Sequence, residues 1–188
     1  FYYSRVNGKL NRDVKRHPHT FALYFGLLDE AKKQAVIRNV LMNDKVEKIV
    51  TPFMRFFELS ALCLAGETDA VYREVLSYWG GMLDEGATSF WELYDKDCTG
   101  VEKYAMYDRK YGKSLCHAWG ASPLYLIGRY LVGLRPTQPG YRTYELRPCL
   151  TRLAEYSVTL PLNEGDVCLT YEQGRFTVFA EKTDGVLR

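Results

Sequence analysis

The chain has 188 residues, of which 47% are hydrophobic and 26% charged, with a net charge of +2. That supplies a core for one large domain or one and a half small ones, and it argues against a dedicated nucleic-acid surface. No apolar run approaches the roughly 20 residues of a membrane helix. The opening FYYSRVNGKLNRD lacks the layout of a signal peptide, as expected of an internal piece of a longer protein, and leaves bacterial cytoplasm and periplasm both open.

In chain order, "DVKRHPH" is the densest basic patch. His17 and His19 could pair as metal ligands with Asp13, but no third ligand is in view. A solvated His17 and a helix starting near His19-Thr20 is the simpler expectation. Phe21, Tyr24, Phe25 and Leu28 then repeat at one-face spacing, predicting a helix that buries those rings. Ile37, Val40 and Leu41 predict a second helix after Asp29-Glu30. Pro52 suits a first turn with Thr51 as cap, and Met54, Phe57, Ala61 and Leu64 predict its buried stripe. Gly66 ends that helix. Thr68-Asp69 opens another, with Val71, Val75 and Tyr78 inward, so short connections such as "AGETD" imply helical hairpins. A last helix over Ser122–Val132 carries Leu124, Ile127 and Leu131.

The string "GLRPTQPGYR" holds two prolines and two glycines in ten residues and reads as a linker over 135–142. After it the period becomes two. Tyr156, Val158, Leu160 and Leu162 form one strand face, Val167, Leu169 and Tyr171 a second, and Phe176, Val178 and Ala180 a third, with turns at Glu164-Gly165 and Gln173-Gly174. The expected organisation is a helical domain over 1–134 and a β domain over 143–188, too small a sheet to stand alone.

The segment "GATSFWELYD" (86–95) fits neither pattern, and the chain's three tryptophans, Trp79, Trp91 and Trp119, lie in the 41 residues from 79 to 119 together with Glu92 and His117. Tryptophan beside a carboxylate is what a sugar site needs: the ring stacks on the apolar face of a pyranose and the carboxylate handles a hydroxyl or a proton. An aromatic wall would also make the carboxyl harder to ionise and raise its pKa. A packing tryptophan beside a solvated glutamate satisfies the same letters. Asp95 and Asp97, beside Lys96, read as loop charges that could border a pocket mouth. Phe53, Phe56 and Phe57 read as core, although the start of their helix could face a pocket. The five cysteines include no C-x-x-C, which predicts mostly buried thiols and no zinc site.

The words "GATSFWELYD" followed downstream by "SLCHAWGASPLYLIGRYLVGLRPTQPGYRTYELRP" resemble the bacterial α-L-rhamnosidases, glycoside hydrolase family seventy-eight. The resemblance covers Thr51 to Pro148 well, and W-E-L-Y stands where the family often has W-E-R-W. It implies a mainly α fold, part of an (α/α)₆ toroid of helical hairpins followed by a small antiparallel β-sandwich. It implies an inverting glycosidase that needs no cofactor or metal and acts on a rhamnose-containing glycoside or polysaccharide, with neither nucleic acid nor membrane as partner. Residue by residue, Glu92 matches the general base and His117 a substrate-contacting histidine, while Trp91 and Trp119 would line the pocket or brace the base. The family's general acid lies in an earlier acidic loop that nothing from Phe1 to Pro52 matches, so these residues alone are expected to be inactive. Two other classes stay open: another toroid enzyme such as a uronide hydrolase or polysaccharide lyase, and a catalytically dead carbohydrate-binding domain.

Overall fold

The computed structural model describes residues 3–163, 165–181 and 184–188, which form two compact units, 1–123 and 124–188. Unit 1 opens with a short antiparallel hairpin, β1 (Ser4–Val6) and β2 (Lys9–Asn11), around Asn7-Gly8, both at positive φ. Asn-Gly is the strongest short hairpin signal there is, so this element was available in the sequence. Helices follow: α1 (Arg16–Tyr24), α2 (Glu30–Val36) widening into a π-helical turn over Ile37–Leu41, and α3 (Pro52–Leu64). Then come α4 (Thr68–Val75), a second π turn over Leu76–Gly80 and the short α5 (Gly81–Asp84). Among the described residues no helix is long and apolar enough to cross a membrane.

Starts and stops follow local chemistry. Asp29 caps α2 by accepting from the Lys32 amide at 2.9 Å. Pro52 opens α3, where its missing N–H costs nothing; Thr51 holds the cap position, but its side chain makes no cap bond. Gly66, at φ +91, ends α3 and lets α4 fold back after three residues, giving a helical hairpin.

The buried faces of α1 and α3 differ from the expected stripes. Arg16, His19, Thr20, Ala22 and Leu23 are buried in α1, whereas Phe25 is exposed. In α3, Arg55, Glu58, Leu59 and Leu62 are buried and Leu64 is exposed. The reason is a buried ion cluster. Arg16 Nη1 donates to Glu58 Oε1 at 2.7 Å and to the Leu41 carbonyl at 2.7 Å, and Arg55 Nη1 lies 3.8 Å from Glu58 Oε2. Arg55 also pairs with Glu74 and stacks its guanidinium 4.6 Å above the Tyr78 ring. The apolar rings keep one another company instead: Phe57 meets Phe21, Tyr24 and Phe53 with centroids 5.4–5.7 Å apart. His17 is exposed, as expected, while His19 is buried inside α1 rather than at its start.

Helix α6 (Ser122–Leu126) continues as a π turn over Ile127–Leu131. Leu131 is buried there, but Leu124 is exposed, contrary to the helical-face expectation. Unit 2 holds two three-stranded sheets. One orders β3 (Leu134–Pro136), β4 (Thr143–Leu146) and β8 (Asp184–Leu187); the other β5 (Glu155–Leu162), β6 (Gly165–Glu172) and β7 (Arg175–Ala180). The stretch expected as a linker is therefore a hairpin: Leu134 pairs with Leu146, and Pro139–Tyr141 forms its turn with Gly140 at φ +72. The clustered prolines and glycines serve that turn. Strand β8 pairs with β4 in parallel, so the sheets are not wholly antiparallel.

The period-two reading of β5–β7 agrees with the register Val158↔Leu169↔Val178. Gln173-Gly174 is the two-residue turn between β6 and β7, whereas Glu164 of the other expected turn lies outside the described residues. Val132, Leu134, Tyr144 and Leu146 meet Val167 and Leu169 in one core, so the apolar face of the β5–β7 sheet is covered by the other sheet of its own unit. Of the five cysteines only Cys63 is buried, and Cys116 is exposed, fewer buried than composition suggested.

Candidate active site

Two backbone hydrogen bonds join residues 90–92 to residues 114–117. The Glu92 amide donates to the Ser114 carbonyl at 2.9 Å, and the His117 amide donates to the Phe90 carbonyl at 2.8 Å. Gly120 permits the approach: a Cβ there would stand 2.7 Å from Phe90 Cβ and 2.9 Å from the Trp91 carbonyl oxygen. The π turn after α4 holds the chain just beyond both segments. Trp79 Nε1 donates to the Gly120 carbonyl at 2.9 Å, and the Tyr94 amide reaches the Tyr78 hydroxyl at 3.2 Å. Tyr78 in turn donates to the Val50 carbonyl at 2.5 Å beneath the Arg55 guanidinium. The buried ion cluster of unit 1 thus supports the segment two residues beyond Glu92.

Trp91 turns inward, 4% exposed, against Tyr94 and Tyr104 and under the Lys113 ammonium at 5.4 Å. Its ring is packed among these side chains, the bracing position of the two expected for it. Burial lowers the pKa of Lys113 there.

Glu92 is also 4% exposed, and each of its oxygens accepts one hydrogen bond. Oε1 accepts from the Tyr107 hydroxyl at 2.5 Å, Oε2 accepts from the Ser114 amide at 2.9 Å, and His117 Nδ1 lies 3.9 Å from Oε2. The Tyr107 hydrogen bond is the largest influence on its charge and lowers the pKa; burial opposes it, and the Ser114 amide and His117 add to the lowering. The balance falls below the ordinary 4.5, which overturns the expectation that aromatic surroundings raise it. Glu92 stays ionised at neutral pH, the state required of a base and the wrong one for an acid.

Trp119 Nε1 donates to the Glu92 carbonyl at 3.2 Å, and its ring is 37% exposed. The His117 ring lies against it with centroids 4.3 Å apart, and Phe53 at the start of α3 flanks it at 5.6 Å. The structure thus brings Glu92, His117 and Trp119 together and sends Trp91 behind them. Sequence reasoning missed Tyr107 and Ser114. The residues around Tyr107, "MYDRKYG", carry a charged turn but no recognisable turn dipeptide, and Ser114 acts through its amide, which no side-chain letter reveals. Asp95 and Asp97 stay in a tight loop, Asp95 accepting from the Asp97 amide at 3.0 Å. Among the described residues no group of three or more His, Cys, Asp or Glu is placed to hold a metal ion.

This helical-hairpin unit carries a buried carboxylate beside an exposed tryptophan and a partly exposed histidine. The family described as bacterial alpha-L-rhamnosidase 6 hairpin glycosidase domain matches residues 2–131, and the chain belongs to that family. Three solved structures share its fold. The GH78 family rhamnosidase of Bacillus sp. GL1 aligns with 97% of this chain at TM-score 0.80 and 23% identity, this chain covering 20% of it. The Streptomyces avermitilis alpha-L-rhamnosidase, solved in complex with L-rhamnose, aligns with 98% at TM-score 0.64 and 22% identity, with 19% of it covered. The alpha-L-rhamnosidase of Dictyoglumus thermophilum aligns with 92% at TM-score 0.69 and 19% identity, with 20% of it covered. The chain therefore spans about one fifth of the length of these structures. No curated protein matches it.

Proposed function

We propose that residues 1–188 belong to a longer, inverting α-L-rhamnosidase in which Glu92 is the general base, and that the helical hairpins form part of an (α/α)₆ toroid. The observation that carries this reading is the state of Glu92: buried, yet held as a carboxylate by neutral donors and bordered by the half-exposed Trp119–His117 face. A carboxylate so placed takes a proton from water while the water oxygen attacks the anomeric carbon. A second carboxylic acid protonates the departing glycosidic oxygen from the opposite side, roughly 6.5–9.5 Å away in inverting enzymes. That acid lies on a part of the parent beyond these residues, so residues 1–188 by themselves do not turn over substrate. Trp119, its N–H fixed to the Glu92 carbonyl, offers its ring face to the pyranose, and His117 bonds a sugar hydroxyl. The substrate is a glycoside or polysaccharide ending in α-L-rhamnose; the rhamnose complex of the Streptomyces relative supports that choice of sugar.

The test is turnover of a panel of aryl glycosides, α-L-rhamnoside included, by the full-length parent and its Glu92→Gln variant. Glutamine keeps the shape of the side chain, so Ser114 N–H can still donate to its oxygen and Tyr107 can accept from its amide. Rhamnoside cleavage that falls roughly 10²–10⁴-fold in the variant supports the assignment. A panel left uncleaved by the parent, or a variant as fast as wild type, sinks it.

A further inference from the structure

Tyr107 sits in a turn that is a poor place for a tyrosine. Met106 and Arg109 exchange backbone hydrogen bonds, both 3.0 Å, around central residues Tyr107 and Asp108 with φ of +55° and +58°. That is the two-residue turn with both central residues left-handed, the geometry for which Asn-Gly is the preferred pair. The same chain uses Asn7-Gly8 for its N-terminal hairpin, where no functional group is needed. Burial does not explain the choice either, because Tyr107 is 64% exposed. What the tyrosine supplies is its hydroxyl, 2.5 Å from Glu92 Oε1.

The rest of the loop serves the same end. Gly112 closes it against the turn, since a Cβ there would stand 2.0 Å from the Met106 carbonyl oxygen. The Lys113 amide then donates to the Tyr104 carbonyl at 3.1 Å, and the next residue, Ser114, gives its amide to Glu92 Oε2. One loop from Tyr104 to Ser114 therefore delivers a donor to each oxygen of the carboxylate, one from a side chain and one from the backbone. A strained backbone kept where a relaxed turn was available points to function rather than to folding.

We propose that Tyr107 is a positioning residue for the base, its hydroxyl locking the Glu92 carboxylate in the orientation that meets the attacking water. The proposal rests on the reading of Glu92 as base. The groups that face the carboxylate are the Tyr107 hydroxyl, the Ser114 amide and His117 Nδ1 at 3.9 Å, so removing the hydroxyl leaves the amide and the imidazole in place. The hydroxyl is the strongest of the three in holding the carboxyl ionised, and its loss raises the pKa of Glu92. The ionised form is the active one, so the acid limb of kcat/KM moves to higher pH.

The experiment compares full-length wild type, Glu92→Gln, Tyr107→Phe and the double variant Tyr107→Asn with Asp108→Gly, on aryl α-L-rhamnoside across pH 3–8. Tyr107→Phe keeps the ring and the turn, and is expected to lower kcat roughly tenfold, the low end of what a positioned proton-transfer group contributes being about 10²-fold, and to shift the acid limb upward. The Asn-Gly variant relaxes the turn. It is expected to melt at or above the wild-type temperature and still to show the slower turnover and shifted limb, which a merely structural tyrosine would not produce. Glu92→Gln inactive with Tyr107→Phe unchanged in both kcat and pH profile overturns the positioning role and leaves the base assignment standing. An active Glu92→Gln, or a parent that cleaves no rhamnoside, overturns the base assignment and this proposal with it.

Discussion

Unit 1 buries two glutamates almost equally, Glu58 at 1% exposure and Glu92 at 4%, yet surrounds them differently. Glu58 lies between two guanidiniums, Arg16 at 2.7 Å and Arg55 at 3.8 Å, on the buried face of α3. Glu92 meets a phenolic hydroxyl and a backbone amide, both neutral, with an imidazole at 3.9 Å. Fixed cations cancel the first charge; neutral donors hold the second in place and leave it uncancelled beside exposed rings. Burial of a carboxylate thus says little about its role. The charge of its partners separates one that joins helices from the one proposed here to take a proton.

Two substitutions break the comparison most directly. Glu92→Gln in the parent should cost roughly 10²–10⁴-fold in turnover with only a small fall in melting temperature, because each neutral donor still finds a partner in the amide. Glu58→Leu should do the reverse. It leaves Arg16 buried with only the carbonyls of Leu41, Asn43 and Val46, and removing one member of a buried pair costs about 3–5 kcal/mol. The readout is the first thermal or denaturant transition of the parent; a Glu58→Leu protein that melts like wild type would show the ion cluster to be ornamental.

Gly120→Ala probes the ladder that links the two regions. The new Cβ would press on Phe90 Cβ and the Trp91 carbonyl, while the Trp79 bond to the Gly120 carbonyl holds residue 120 in place. Overpacking of this kind costs about 1–3 kcal/mol and moves Glu92 relative to Trp119. Melting temperature and kcat/KM should fall together. A loss of stability with wild-type kcat/KM would mean that the ladder does not set the site's geometry.

The same contrast marks what the sequence could tell. Glu92, His117 and Trp119 were legible because their letters fall in words shared with a family, and the strands of unit 2 because alternation is a direct image of a two-faced sheet. The buried faces of α1 and α3 were not. Helical-face reasoning assumes that apolar letters turn inward, and here Arg16, Arg55 and Glu58 do so, in pairs whose members lie up to 42 residues apart. Trp91 is a similar case: its letters place it beside Glu92, but only the structure shows its ring packed among Tyr94, Tyr104 and Lys113. Tyr107 was invisible because its turn lacks the asparagine and glycine by which such turns are recognised. The hairpin taken for a linker shows the converse, where proline and glycine marked the bend correctly but not the strands on either side.

The smallest effect expected is also the one that ties Glu92's partners to its charge. Its folded pKa lies below the unfolded value near 4.5, chiefly through the Tyr107 hydroxyl, so ionised Glu92 favours the folded state. For a carboxyl lowered on folding, that contribution is complete above the unfolded pKa and is lost as pH falls through the folded one. Between pH 7 and 5 the melting temperatures of wild type and Glu92→Gln should therefore run parallel. Below about pH 4.5 they should converge from the wild-type side, because only wild type has a Glu92 proton to take up. Glu74, also lowered because Arg55 and Lys48 together outweigh the effect of its burial, is common to both proteins and cancels from the difference. Curves that stay parallel down to pH 3 would mean that the donors orient Glu92 without stabilising its charge, and the contrast with Glu58 would then rest on geometry alone.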